Sequence, residues 1–221
     1  MPTESRAAVS PVHGRLALAG IAVAVVIATD LHLRLSARIS PVWQTLSEYV
    51  YGGRSAAQLF AVMCLALALG SLALLTGLVK ARRSPAVVAL LGVWCAGLTI
   101  CATVPVDPDG QARSFDGQLH NVAALTAFVA LPTAAWLLTR RGRRSCPWEP
   151  RRTTIRRLAV ASFASVAVVL GGFVVTLITG PTHQEVTLGL FERLLFAVDL
   201  ALLLSMVRPL LAASLNPKHL S

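Results

Sequence analysis

Asp107, His120 and His183, with Glu192 and Arg193 further along, are the side chains best suited to chemistry in a chain that is otherwise mostly apolar. Imidazole and carboxylate groups together bind a divalent metal and activate water, so His120, His183 and Asp107 form a donor set for attack on a lipid ester or amide. Glu192 has the chemistry of a general acid or base, and Arg193 that of a clamp on an anionic headgroup. Glu185, Glu192 and Asp199 recur at a seven-residue interval. On a helix of 3.6 residues per turn that interval keeps them near one face, with steps of ~10.5 Å, and Glu192 with Asp199 becomes a candidate proton path. The sequence contains no H-E-x-x-H, G-x-S-x-G, Walker loop or dinucleotide fingerprint.

The surrounding composition decides where such groups must work. Of 221 residues, 55% are hydrophobic and 14% charged, with a mean hydropathy of +0.68. These values describe a membrane chain rather than a soluble domain. Apolar runs cover residues 16–33, 56–79, 86–106, 119–139, 158–179 and 186–207, each near the ~20 residues that cross a bilayer. The runs are continuous and rich in Ala and Leu, which predicts helices rather than the alternating strands of a barrel. The expected fold is therefore all-α: a polytopic six-helix transmembrane bundle forming a single integral membrane domain over residues 1–221.

A net charge of +10 invites a nucleic-acid reading, but the basic residues alternate between connections in another pattern. The fourth connection holds Arg140, Arg141, Arg143, Arg144, Arg151, Arg152, Arg156 and Arg157, and the second holds Lys80, Arg82 and Arg83. The first and third carry few, and the fifth carries neither Lys nor Arg. By the positive-inside rule both termini are expected in the cytoplasm. The Arg-rich loop then serves as a topology signal that also touches anionic headgroups, with no nucleic-acid partner expected. An alternative reading takes the basic start and first apolar run as a cleavable signal, which leaves the orientation of the other spans unchanged.

Sorted by depth, the polar groups gather on the outward side: Asp30, His32, Ser47, Glu48, Asp107, Asp109, Asp116, His120, His183, Glu185, Glu192 and Arg193. An ionisable residue near a helix centre costs roughly 2.5 to 3.5 kcal/mol to insert, so Glu192, Arg193 and Asp199 are expected to face the bundle interior with partners. Adjacent Glu192 and Arg193 point in different directions on a helix and do not simply neutralise each other. Structural readings compete with the functional ones. Asp107-Pro108-Asp109-Gly110 is built from turn formers, Thr182-His-Gln-Glu185 reads as a capping box, and Cys64, Cys95 and Cys101 read as small apolar packers. Cys146, beside the Arg cluster, reads as a reduced loop thiol. Gly92, Gly97, Gly171 and Gly172 are expected to allow close helix approach, and Pro132 to kink the fourth span.

Three stretches, Pro41 to Gly52 (PVWQTLSEYVYG), Pro105 to His120 (PVDPDGQARSFDGQLH) and Gly189 to Arg193 (GLFER), resemble the bacterial six-span domain-of-unknown-function 998 family. The resemblance implies an integral membrane protein of six helices and directs attention to Ser47, Asp107, His120, Glu192 and Arg193 as catalytic candidates. It implies no activity or cofactor, so a divalent metal remains an expectation from side-chain chemistry. Three functions follow: an enzyme acting on a lipid or isoprenoid headgroup at the outer leaflet, a small proton-linked transporter, or a non-catalytic membrane partner for another protein. The lipid bilayer is the one partner common to all three, and the sequence identifies no protein partner.

Overall fold

Six long helices carry the chain: α1 (Pro11–Leu35), α2 (Arg54–Lys80), α3 (Pro85–Thr103), α4 (Phe115–Leu138), α5 (Arg152–Thr179) and α6 (Leu188–Ala212). The computed structural model describes residues 11–108, 114–140, 147–179 and 188–212, with the backbone alone at 173 and 175–179. Short 3-10 turns at Ser47–Gly52 and Glu149–Arg151 precede α2 and α5. All six helices are long and apolar enough to cross a membrane, and no strand occurs among the described residues. The architecture is the all-α, six-span bundle that the apolar runs predict.

Helix ends depart from the apolar runs for local reasons. The third run extends to residue 106, yet α3 stops at Thr103 and Val104 is extended, with φ −107° and ψ 122°. Pro105 follows, and a proline pushes its predecessor out of the helical region. The fourth run begins at 119, but α4 starts at Phe115 because Ser114 caps it, accepting from the Gly117 amide at 3.0 Å. At the end of α2, Arg82 takes φ 49°. The Arg82 and Arg83 amides turn back to the Val79 and Leu78 carbonyls at 2.9 and 3.0 Å, a Schellman ending with arginine in the left-handed position usually given to glycine. The helices α4 and α6 run on through Pro132 and Pro209, both buried in the bundle.

Consecutive helices are neighbours, and α1 also packs on α6, so the six close into a ring, with α6 reaching across to α2 and α4. A single apolar core runs through it, from Ala17 and Leu67 to Leu131, Ile155 and Leu202. Burying this set holds the bundle mainly by side-chain packing, since lipid outside is as apolar as the core. The tightest crossing is between α1 and α2. A Cβ on Gly20 would meet the Ala66 carbonyl and the Gly70 backbone, so the helices touch main chain to main chain there. Gly97 similarly lies against Ala123 and Ala127 of α4, whereas Gly171 faces open space and brings no helix close.

Candidate functional site

Alternation of the helices brings one set of ends together: the close of α1, the segment from 36 to 53, the α3–α4 connection and the start of α6. A cavity of about 50 Å³ opens beneath this end. The segment before α2 contributes Leu46 and Ser47, α4 contributes His120, and α6 contributes Glu192 and Phe196. Apolar walls come from Phe60 and Met63 of α2, Trp94 and Leu98 of α3 and Phe128 of α4, with Cys64 and Cys101 among them. Among the described residues, neither α1 nor α5 lines it.

His120 is only 3% exposed. Its Nδ1 lies 2.7 Å from the Val104 carbonyl, and because a carbonyl accepts, Nδ1 is the donor. This bond satisfies a carbonyl left over at the end of α3 and fixes the ring, so the neutral imidazole carries its lone pair on Nε2. The Cys101 thiol approaches the His120 carbonyl at 3.8 Å. Glu192 takes a different backbone partner: its Oε2 accepts from the Leu46 amide at 2.7 Å. Ser47 is buried at the same place, and its hydroxyl lies 3.0 Å from that of Thr45.

Arg193 turns away from its neighbour. One guanidinium nitrogen donates to the carbonyls of Pro41 (2.9 Å), Gln44 (2.7 Å) and Gly189 (2.9 Å). The guanidinium carbon sits 5.1 Å from the centre of the Tyr49 ring, and the Tyr49 hydroxyl meets His32 Nδ1 at 3.1 Å. A main-chain bond from the Leu190 amide to the Val42 carbonyl (3.1 Å) completes a clasp between α6 and the segment before α2. Gly189 is required there: a Cβ would run into the Gln44 carbonyl. Glu192 and Arg193 thus hold the same segment, one by an amide and the other by carbonyls, and they diverge as expected for adjacent helical residues.

The remaining sequence candidates fall elsewhere. Asp107 accepts from the Ser114 amide at 2.9 Å and the Ser114 hydroxyl at 2.5 Å, so it reinforces the start of α4 and does not line the cavity. The ring of Tyr51 is nearby, with its hydroxyl donating to the Val106 carbonyl. Asp199 is 1% exposed and accepts from Ser162 of α5 at 2.6 Å, while its other carboxyl oxygen has no hydrogen-bond partner among the described residues. It is not part of the cavity lining. Asp30 pairs with Arg34 one turn on. His183, Glu185, Asp109, Cys146 and the Thr182 capping box lie outside the described residues. Among the described residues, no three His, Cys, Asp or Glu side chains gather in a group that could hold a metal.

Sequence reasoning missed Tyr49 and Leu46, whereas Cys64 and Cys101, read as small apolar packers, are buried among the cavity walls. Leu46 and Tyr49, three residues apart with polar Ser47 and Glu48 between them, offered a faint signal of one inward-facing edge on a tight helical turn. The amide of Leu46 had none, because a backbone donor is invisible in residue identity.

The three stretches that carry the family resemblance meet at this end: 41–52 is clasped by 189–193, and His120 from 105–120 shares the cavity with both. No match was found among curated proteins or among solved structures. A family model described as protein of unknown function (DUF998) matches residues 16–208, which reach from α1 into α6 and include the whole cavity lining, and the chain belongs to that family.

Proposed function

We propose that this multi-pass membrane protein is a lipid-directed enzyme whose acid–base groups are His120 and Glu192, acting on an ester or amide at the headgroup end of a lipid or isoprenoid. The observation that carries this reading is the meeting of His120, Glu192 and Ser47, from three separate elements, around one cavity with apolar walls. Keeping such groups inside a membrane bundle is costly, and the cost is offset here only in part by backbone partners. A volume of about 50 Å³ has room for a few waters or a small reacting group, at ~10–15 Å³ per water. An acyl chain would remain among the apolar side chains or in the bilayer.

In the proposed reaction a water gives a proton to Nε2 of His120 as its oxygen bonds to the ester or amide carbon. The bond to the leaving oxygen or nitrogen then breaks, and the leaving group takes a proton from the Glu192 carboxyl or from the protonated imidazole. Ser47 orients the polar group at the mouth, and Arg193 secures the segment that covers it. The acid and the base in this reading are the chain's own side chains. The arginine distribution supports an orientation with the termini in the cytoplasm and the cavity on the extracytoplasmic side of a bacterial cytoplasmic membrane. The shared core supports a single integral membrane domain.

The test is lipid mass spectrometry on the purified chain reconstituted in vesicles of mixed phospholipid and polyprenyl lipids. Loss of one lipid class is expected, slowed about 100-fold or more in His120→Ala and Glu192→Gln. If no lipid is consumed, or if both variants match the parent rate, the enzymatic reading fails. A proton-linked transporter is the second reading, supported by the buried, half-satisfied Asp199 about two helical turns from Glu192 on nearly the same face. It requires that Asp199→Asn abolish a pH-driven flux in the same vesicles, and it falls if flux is absent or unchanged.

A further inference from the structure

The opposite end of the bundle gathers the close of α2, the start of α3, the close of α4 and the start of α5. Two arginines converge there on the last carbonyls of α4. Arg83 donates to the Leu138 carbonyl at 3.3 Å. Arg156 donates through Nε to the Thr139 hydroxyl and through a terminal nitrogen to the Thr139 carbonyl, both at 3.3 Å. Each guanidinium is also backed by an indole: Arg83 lies 5.3 Å from the centre of the Trp148 ring and Arg156 lies 4.9 Å from that of Trp136. Trp148 is itself fixed, 1% exposed and donating to the Met206 carbonyl at 2.8 Å. Trp136 is 37% exposed, and indoles favour the membrane–water boundary.

We propose that Arg83 and Arg156 form a binding site for the headgroup of an anionic phospholipid at the C-terminal end of α4. A guanidinium has five N–H donors in a rigid fork, and the α4 carbonyls and Thr139 engage only some of them on each arginine among the described residues. Held on one side by carbonyl oxygens and on one face by a ring, both forks lose little further freedom on binding a phosphodiester. Charge favours the same occupant. Glu149 is the one carboxylate among the described residues at this end, and Arg152 lies 3.5 Å from it. Lys80, Arg82 and Arg140 add positive charge at the same end. The Schellman ending at Arg82 sets the direction in which Arg83 leaves α2, at the expense of a left-handed arginine. The exposed Trp136 beside Arg156 puts the site against lipid rather than in open solvent, which selects a bilayer phosphodiester over a free one.

Native mass spectrometry of the full chain in mild detergent tests this, with phosphatidylglycerol, phosphatidylcholine and soluble glycerol phosphate as probes. The parent protein is expected to retain phosphatidylglycerol about tenfold or more over phosphatidylcholine and to retain no glycerol phosphate. The double variant Arg83→Gln/Arg156→Gln is expected to lose that preference, while Arg151→Gln/Arg157→Gln, which removes equal charge, keeps it. Arg83→Lys/Arg156→Lys keeps the charge and guards against a folding failure; it is expected to lose most of the preference with the planar fork. The proposal is overturned if the parent shows no preference, if both Gln pairs lose it equally, if the Lys pair binds like the parent, or if glycerol phosphate binds as well as the lipid.

Discussion

The two ends of the bundle handle charge in opposite ways. Below the clasped segment, Glu192 and His120 point inward and each is held by a backbone group far away in sequence, the Leu46 amide and the Val104 carbonyl. At the basic end, Arg83 and Arg156 lie along the rim, resting on indoles and on the end of one helix. Inward charge demands a fixed partner because no water can replace it, whereas rim charge can exchange partners with water and headgroups. Arg193 follows the first pattern although its residue type is that of the second. It is bound to three carbonyls and to the Tyr49 face, deep enough that one of its nitrogens is buried without a partner among the described residues.

That contrast breaks most readily at Arg193. Arg193→Ala strands carbonyls at Pro41 and Gln44 and is expected to cost about 3 kcal/mol or more, while Arg83→Ala at the rim costs about 1 kcal/mol. Thermal unfolding in detergent, with proteolysis of the 36–53 segment as a local readout, measures both. Equal losses at the two sites would dissolve the distinction between the ends. A smaller effect of about 2 kcal/mol is expected from Gly189→Ala, whose methyl must displace the Gln44 backbone. Its signature is earlier cleavage of the 36–53 segment with the rest of the bundle still protected, and an unaltered cleavage pattern would mean that the clasp has slack. Smallest is Trp148→Phe, which keeps the ring beside Arg83 and removes only the bond to the Met206 carbonyl. About 1 kcal/mol is expected, with no change in the 36–53 segment; a larger loss would show that the basic end also depends on a buried polar tie.

Span count and fold class were legible because hydrophobic runs of bilayer length have one satisfactory backbone solution. Ends were legible only where a residue acts locally. Pro105 announces the early stop of α3, and Ser114 could have announced the start of α4, whose first turn is too polar to register as an apolar run. His120 and Glu192 stood out as candidates, and the divergence of Glu192 from Arg193 followed from their being helical neighbours; the departure of Asp107 from His120 did not, since side-chain direction across separate elements leaves no trace in spacing. Asp107 illustrates this most clearly: the donor-set reading grouped it with His120, and its carboxylate is engaged by Ser114. The indole-backed arginines were hidden for a related reason. Trp136 and Arg156 are distant in sequence, and the Arg-rich loop showed only an abundance of charge.

The clasp reads main chain, and that has a consequence for mutability. Pro41, Val42, Gln44 and Leu46 are tied to α6 through carbonyls and an amide, whatever their side chains happen to be. Exchanges at Pro41 and Val42 can accumulate without loosening the tie so long as the loop keeps its trace, which the Gln44 side chain, accepting from the Ser40 amide at 2.9 Å, and buried Leu46 help to set. Positions 189, 192 and 193 have no such latitude, because there the side chain, or its absence, is the fastening itself.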